Sequence, residues 1–178
     1  DLTQFRLTAD DLLTPDTVAI DVTTQFEASL RTSPVGAGRY VFFATNRGKW
    51  SGVREYFVDV SAEVDDAADI TAHVPSYLPG IIDKMEASSN EDMLLVHCED
   101  DPNAVYVYRY YWQGTEKLQS SWSRWTFHGE VLNFSFNKSD IDVLVQYTNT
   151  DGTKTLSLER INLSTDDAVQ VTAQGHAI

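Results

Sequence analysis

Polar and apolar residues alternate over short segments of this chain, and turn residues separate those segments. The clearest example runs from Val105 to Phe127, where an aromatic and β-branched run is followed by a polar stretch from Gln113 to Ser120 and then by a second aromatic run. Such residues favour strands, and a polar glycine-containing turn joins two strands into a hairpin. Three of the four tryptophans lie here, and large rings bury much area at small entropic cost. The segment therefore predicts an aromatic hairpin that packs against other protein surfaces.

Three further hairpins follow from the same pattern. They join Val41–Ala44 to Val53–Phe57 around Asn46-Arg47-Gly48, Met93–Val96 to Val105–Trp112 around Asp100–Asn103, and Val143–Tyr147 to Thr155–Ile161 around Asn149–Gly152. Asparagine and glycine in these turns tolerate the positive φ that tight reversal requires. Phe42, Leu94 and Leu144 recur at a spacing of about 50 residues, which is typical of propeller blades.

Each repeat also contains an earlier strand-like segment, at Val18–Val22, Ile81–Glu86 and Val131–Phe136, and Trp122–Phe127 supplies a fourth strand to the second repeat. Long helical periodicity is absent from the sequence. We therefore predict an all-β chain of consecutive antiparallel blades, forming part of a β-propeller. The expected domain spans residues 1–178, with about three blades at 15–60, 78–127 and 130–163. Phe42, Leu94 and Leu144 are expected at equivalent positions of these blades.

An acidic and proline-containing strap, residues 61–79, separates the first two predicted blades. Its acidic part, residues 61–69, is expected to be a solvated loop. Pro75 and Pro79 restrict the backbone, so the remainder is expected to follow an ordered, extended path into the next strand.

The acidic net charge of the chain argues against nucleic acid as a tightly bound partner. The chain has 27 acidic and 13 basic residues, a net charge of −14 and a pI near 4.4. Affinity for nucleic acid comes mainly from lysine and arginine, so tight DNA binding is not expected. An acidic wall instead repels a polyanion over roughly 8–10 Å, which suits a surface that DNA passes without being retained.

The ends and the cysteine content add three expectations. The sequence opens with Asp1 rather than methionine, and we expect a piece of a longer protein. It contains no apolar run long enough for a membrane span and no basic-then-apolar leader, which favours a soluble protein. Cys98 is the single cysteine, so no internal disulfide is possible and assembly at a reducing site is expected.

Three motifs resemble functional sites only superficially. His97 to Asp101 contains metal-ligand residue types, but adjacent strand residues point to opposite faces and no second cysteine completes a set. Asp151-Gly152-Thr153 is similar to the Asp-box turn of sialidase-type propellers, yet a hairpin turn explains it. Gly36-Ala37-Gly38 lacks the third glycine and the helix of a phosphate cradle, which favours turn geometry.

Two groups of charged residues lie on the predicted strands. Four acids, Glu55, Asp59, Asp83 and Glu86, are candidates for a glycosidase pair, but sequence alone gives no separation between them. Arginines alternate with aromatic residues at three positions, Arg54, Arg109 and Arg124. There a guanidinium group can stack on a ring or pair with an acid, and the acidic balance favours this structural role over single-strand nucleic-acid binding. We expect no catalytic residue, no cofactor and no metal site.

Several segments together resemble the tail tubular protein B family, the nozzle proteins of short-tailed podophages. The resemblance rests on Gly48–Phe57, Asp69–Pro79 and Val105–Trp112, followed by Gly114, Lys117, Gln119, Trp122, Arg124 and Trp125. It covers roughly residues 40–127, with weaker similarity to about Leu163. None of these segments is a common structural motif, so the resemblance is specific.

The resemblance implies a β-propeller-containing subunit of a hexameric tail nozzle in the virion, assembled in the host cytoplasm. Such a ring would dock below portal and adaptor proteins, contact tail fibres and conduct DNA during ejection without catalysis. Full-length family members are several times longer, so about three blades would form only part of a propeller. Two alternatives stay open: a carbohydrate-active or receptor-binding propeller, and a cellular protein-interaction propeller.

Overall fold

The computed structural model describes residues 4–8, 14, 18–59, 64–114 and 116–163. Throughout these ranges the regular structure consists of β-strands in antiparallel sheets, none of them closed, and no helix that could cross a membrane occurs there. The prediction of an all-β chain is confirmed, whereas the propeller blades stay a prediction. The chain divides into two compact units, one of residues 1–85 with 98–100 and the other of residues 86–97 with 101–178.

The first unit contains two sheets. The smaller pairs β1 (Gln4–Thr8) with β2 (Ala19–Thr24). The larger has the order β3 (Val35–Ala37), β4 (Tyr40–Arg47), β5 (Trp50–Asp59) and β6 (Val64–Asp69), while β7 (Leu78–Pro79) also pairs with β5. The predicted hairpin between β4 and β5 is confirmed, and Arg47 pairs with Trp50 across Gly48, whose φ is 73°.

The strand predicted at Val18–Val22 is confirmed as part of β2, which pairs with β1, while the strand beside β4 is the short β3. The expectation for the acidic part of the strap is wrong. The acidic stretch is not wholly a loop, because Val64 to Asp69 form β6 against Arg54 to Asp59. Residues 61–63 of the strap lie outside the described residues. Cross-strand pairing has overridden the low strand propensity of Asp and Ala.

The proline part of the strap is ordered, but most of it is not extended. The amide of Val74 donates to the carbonyl of Thr71 over 3.0 Å, and that of Tyr77 donates to Val74 over 3.2 Å, as in successive tight turns. Only Leu78 and Pro79 run as a strand. The extended path predicted for residues 70–77 is therefore wrong, because local hydrogen bonds turn the chain between Thr71 and Tyr77.

A second large sheet has the order β11 (Glu116–Thr126), β10 (Ala104–Gln113), β9 (Met93–Cys98) and β8 (Ile82–Ser88). Its β9–β10 and β10–β11 hairpins confirm the sequence prediction. The polar stretch from Gln113 to Ser120 was expected to form the turn of the aromatic hairpin. Strand β11 already begins at Glu116, so most of this stretch belongs to the strand. The third sheet has the order β12 (Glu130–Asn137), β13 (Asp140–Thr148) and β14 (Lys154–Asn162), as the pattern predicts.

The second unit is built around a core between these two sheets. Nine buried residues form it: Met93, Leu95, Val105 and Val107 from the second sheet, and Val131, Phe134, Ile141, Val143 and Val145 from the third. Alternate residues of a strand share a face, so each of these strands contributes one face to the core. The two sheets are therefore stabilised by burying apolar surface against one another.

The three aligned residues all lie on the second strand of their sheets. Phe42 is on β4 and Leu94 on β9, and both are fully buried, whereas Leu144 on β13 is only half-buried. Their strands thus hold equivalent places, but their side chains do not have equivalent surroundings. The predicted superposition of the three hairpins is not tested by this placement and stays a prediction.

Candidate functional site

The aromatic hairpin extends beyond the rest of its sheet. Strands β10 and β11 pair from Ala104 and Thr126 to Gln113 and Glu116, whereas the pairing of β10 with β9 ends at Arg109. Residues 110–114 and 116–120 therefore form a two-stranded ribbon, which we call the hairpin arm. A ribbon of two strands is marginal by itself and needs side-chain contacts to hold it.

Side chains at the base of the arm supply such contacts. The ammonium group of Lys117 donates to the hydroxyl of Tyr108 over 3.1 Å, and it lies 4.8 Å from the centre of the Trp112 ring. The same hydroxyl lies 2.9 Å from Ser120 Oγ, and the Tyr108 and Trp122 rings are 5.0 Å apart. Cation–π and ring contacts of this kind hold the two strands of the arm together.

The arm nevertheless exposes apolar surface. Tyr111 is 50% exposed and Leu118 is 52% exposed, one on each strand of the ribbon. All three tryptophans of the hairpin, Trp112, Trp122 and Trp125, are half-buried rather than fully buried. Tyrosine and tryptophan are enriched at protein interfaces, so the arm is a candidate contact with a partner.

A second candidate surface lies on the third sheet, opposite the core. Leu144 pairs with Leu158 across the β13–β14 ladder, and Leu156 lies on the same face two residues away. Leu156 is 61% exposed and Leu158 is 70% exposed. We call these three residues the outer leucine face. Within the described ranges β14 is also the last strand of its sheet, and no strand there pairs with its outer edge. An unpaired edge strand is a template for pairing with another chain.

Polar pairs border this face. The guanidinium group of Arg160 donates to the Asp142 carboxylate over 2.7 and 3.1 Å, and the Gln146 amide donates to Glu130 over 3.1 Å. The hydrogen bonds from Arg160 and Asn137 hold the pKa of Asp142 below its ordinary value. An apolar centre with a polar rim is the usual composition of a protein–protein interface.

An apolar groove completes the candidate surfaces of the second unit. Its volume is about 450 Å³, and it is lined by the ends of β11 and β14 and the residues that follow them, chiefly Trp125, Phe127, Ile161 and Leu163. These four side chains also pack against the core between the sheets. The groove can accept apolar side chains, and the described lining offers no carboxylate or imidazole for acid–base chemistry.

The metal-type residues on and after β9 diverge. His97 and Cys98 are buried, and His97 Nε2 lies 3.3 Å from the carbonyl oxygen of Pro102. Glu99 pairs with Arg31, and Asp101 accepts hydrogen bonds of 2.8 and 2.9 Å from the guanidinium group of Arg124. In the part of the chain that the structure describes, no group of three metal-type side chains converges.

The candidate acids for hydrolysis lie on two strands. Glu55 is buried on β5, Asp83 and Glu86 are half-buried on β8, and Asp59 ends β5 with a side chain outside the described residues. The structure does not assign any of them to a catalytic pair.

The two turn motifs have structural roles. Gly38 has a φ of 63° in the turn between β3 and β4, and Gly152 has a φ of 82° in the turn between β13 and β14. Asp151 accepts hydrogen bonds from the amide and hydroxyl groups of Thr153 over 3.0 and 2.6 Å, which lower the pKa of Asp151. The interpretation of both motifs as turns is confirmed.

Two of the three strand arginines make the contacts that the sequence predicts. The guanidinium carbon of Arg54 lies 3.8 Å from the centre of the Phe26 ring, and Arg124 pairs with Asp101 beside Tyr106. Arg109 is exposed on β10. The structural interpretation of Arg54 and Arg124 is confirmed.

A family model described as bacteriophage nozzle protein matches residues 1–176 of the chain. This chain belongs to the bacteriophage nozzle protein family. The tail tubular protein gp12 of Escherichia phage T7 is 36% identical to it over 150 residues, which are 82% of this chain and 19% of the T7 protein. The chain thus spans about a fifth of the length of this relative. The expected family and the expected place in the virion tail are confirmed.

Sequence reasoning found only one of these candidate contact surfaces. The aromatic hairpin was predicted, but the outer leucine face was not. A signal for it does exist: Val143-Leu144-Val145 is apolar without alternation, and Leu156 and Leu158 recur with the strand period. A strand that is apolar on both faces is typical of one covered on both sides.

Proposed function

We propose that this chain is part of the wall of a phage tail nozzle, where it conducts DNA and docks to other tail proteins. The outer leucine face carries the proposal, because two leucines more than half exposed on an edge strand favour a protein partner over solvent. The hairpin arm supports it with a second apolar contact surface. The partners we infer are further copies of the parent protein in a hexameric ring, portal and adaptor proteins, and tail fibres.

The charge distribution supports passage of DNA without retention. Four of the arginines are already engaged with carboxylates: Arg31 with Glu99, Arg47 with Asp69, Arg124 with Asp101 and Arg160 with Asp142. A paired guanidinium group releases fewer counterions when it meets a phosphate. The net charge of −14 also disfavours retention of DNA.

Assembly of the full-length parent protein tests the docking role. The double variant Leu156→Lys/Leu158→Lys should fold but form fewer rings or incorporate less into tails, because it places two charges in an apolar contact. Lys138→Glu, at an exposed position in the turn between β12 and β13, is a control for a change of charge outside this face and should assemble normally. Normal ring formation and tail incorporation by the double variant would contradict the assignment of this face to docking.

Binding and hydrolysis assays test the conduit. The chain should bind duplex DNA weakly or undetectably near 150 mM salt, since its 27 acidic residues outnumber its 13 basic ones. Tight binding with a steep salt dependence would contradict a passive wall. Cleavage of a bacterial polysaccharide that is lost on substitution of one acid would favour the carbohydrate-active alternative instead.

A further inference from the structure

A small cleft lies on the face of the β3–β6 sheet that carries Arg54. Its volume is about 170 Å³, and its lining consists of Phe26, Glu27, Thr45, Asn46, Arg47 and Arg54. We call it the Arg54 cleft. It lies wholly within the first unit.

Arg54 brings a positive charge that its neighbours do not cancel. Its guanidinium group donates to the carbonyl oxygen of Ala67 over 2.7 Å and stacks on the ring of Phe26. Asp69, its cross-strand partner, pairs instead with Arg47. Among the described residues, no carboxylate forms an ion pair with Arg54. A planar guanidinium has five N–H donors, so most remain available for a ligand.

Thr45 brings a buried hydroxyl group to the same cleft. It is 7% exposed and lies opposite Gly52 across the β4–β5 ladder, on the face that Arg54 shares. Its Oγ1 is buried and has no hydrogen-bond partner in the described ranges. Buried hydroxyl groups are nearly always hydrogen-bonded, so this atom is suited to donating to a ligand oxygen.

The other charges of the cleft select the kind of anion. Arg47 is neutralised by Asp69, and Gly52 leaves room for it, since a Cβ there would lie 2.8 Å from its guanidinium carbon. Glu27 is exposed and adds a negative charge to the lining. One uncompensated guanidinium beside a carboxylate suits a monovalent anion better than the dianion of a phosphate monoester.

We propose that the Arg54 cleft binds a carboxylate group from an acidic side chain of a partner protein. Arg54 donates N–H bonds to the carboxylate, and Thr45 donates its hydroxyl proton to one of the two oxygens. Charge-assisted bonds between guanidinium and carboxylate groups are short and geometrically specific. Further copies of this acidic chain would present many such carboxylates.

Acetate is the probe for the first test. In the 178-residue protein, the Arg54 Nε–H and Thr45 methyl resonances should shift saturably with sodium acetate, with half-saturation on the order of 10 mM. Sodium chloride at matched ionic strength should give no saturable shift. Equal shifts with both salts would overturn the site. Saturation by inorganic phosphate at lower concentration than by acetate would overturn the choice of a carboxylate.

Variants separate the two donors. Arg54→Lys should weaken acetate binding at least about fivefold, because the planar fork of donors is lost. Thr45→Val keeps the shape of the side chain, so it should fold, and it should weaken binding about three- to tenfold. Arg109→Lys, an exposed strand arginine, is the matched control and should bind acetate unchanged. Unchanged binding by Thr45→Val, or equal loss by Arg109→Lys, would overturn the proposal.

Discussion

The second and third sheets share a core but differ in what covers their other faces. All six residues of β9, from Met93 to Cys98, are buried, so both faces of that strand are covered. On β13 the buried residues Ile141, Val143 and Val145 alternate with half-buried ones. The outermost strand β14 exposes Leu156 and Leu158. Similar antiparallel ladders thus differ in covering: β9 is enclosed on both faces, whereas the third sheet leaves exposed the face that we propose for docking.

The sharpest test of this comparison contrasts the two faces of the third sheet. Phe134→Ala removes a ring that is 2% exposed and lies in the core, and it should lower the free energy of unfolding by about 3–5 kcal/mol. Leu158→Ala removes a side chain that is 70% exposed and should cost less than about 1 kcal/mol. Denaturant titration measures both. Similar losses at the two positions would mean that the outer face is already covered.

The aligned leucines give a second test, across the two sheets. Leu94 is fully buried on β9, so Leu94→Ala should cost about 2–5 kcal/mol. Leu144 is half-buried on β13, and Leu144→Ala should cost about 1–2 kcal/mol because less contact is lost. Both variants are compared by denaturant titration of the same chain. Equal losses at the two positions would show that the aligned position, rather than the covering of the face, predicts the energetic role.

The tryptophans sharpen the comparison between the base and the arm of the hairpin. Trp125 packs against the core between the sheets, and Trp125→Ala should cost about 2–3 kcal/mol, below the usual range for a fully buried ring because Trp125 is half-buried. Trp112 lies on the arm beneath Lys117, and Trp112→Ala should cost about 1 kcal/mol. Thermal and denaturant unfolding measure both losses. A loss at Trp112 that equals or exceeds that at Trp125 would contradict an arm with a free surface.

The smallest effect concerns Tyr147, at the margin of the core of the third sheet. The hydrogen bond from its hydroxyl to the Glu159 carboxylate, with burial, raises the pKa of Tyr147 to about 12. In the unfolded chain the phenol of tyrosine has a pKa near 10. The protonated Tyr147 therefore stabilises the folded state fully below pH 10, and this contribution to the free energy of unfolding is lost as the pH rises towards 12. Phenolate absorbance should show Tyr147 titrating late, and Glu159→Gln should bring its pKa closer to 10. An unchanged titration in Glu159→Gln would mean that the hydrogen bond does not set the shift.

Much of the sheet architecture was predictable because its signals are local. The β4–β5, β9–β10, β10–β11 and β13–β14 hairpins each follow from a strand pattern interrupted by turn residues, and the position of Gly152 fixes one turn. The pairing of β2 with β1, the short β3 and the acidic β6 were not predictable in this way. Those strands are specified by their partners rather than by their own composition.

The Arg54 cleft likewise combines a contact that was predictable from sequence with contacts that were not. The stacking of Arg54 was foreseen because arginine beside aromatic residues on a strand has few other uses in an acidic chain. The phenylalanine on which it stacks lies outside that strand, and the buried hydroxyl of Thr45 comes from the neighbouring strand. No local pattern indicates that Arg54, Phe26 and Thr45 meet. Thr45 and Arg54 share a face only because β4 pairs with β5 in this register.

The sequence by itself determined the strand content, the hairpins, the acidic balance and the family of this protein, since periodicity, turn chemistry and motif order are local properties. Only the tertiary structure decided which faces are covered. Val143 and Leu144 are equally apolar neighbours, yet one lies in the core and the other on the outer leucine face. The physical reason is that burial depends on what packs against a strand, and that partner lies far away in the chain.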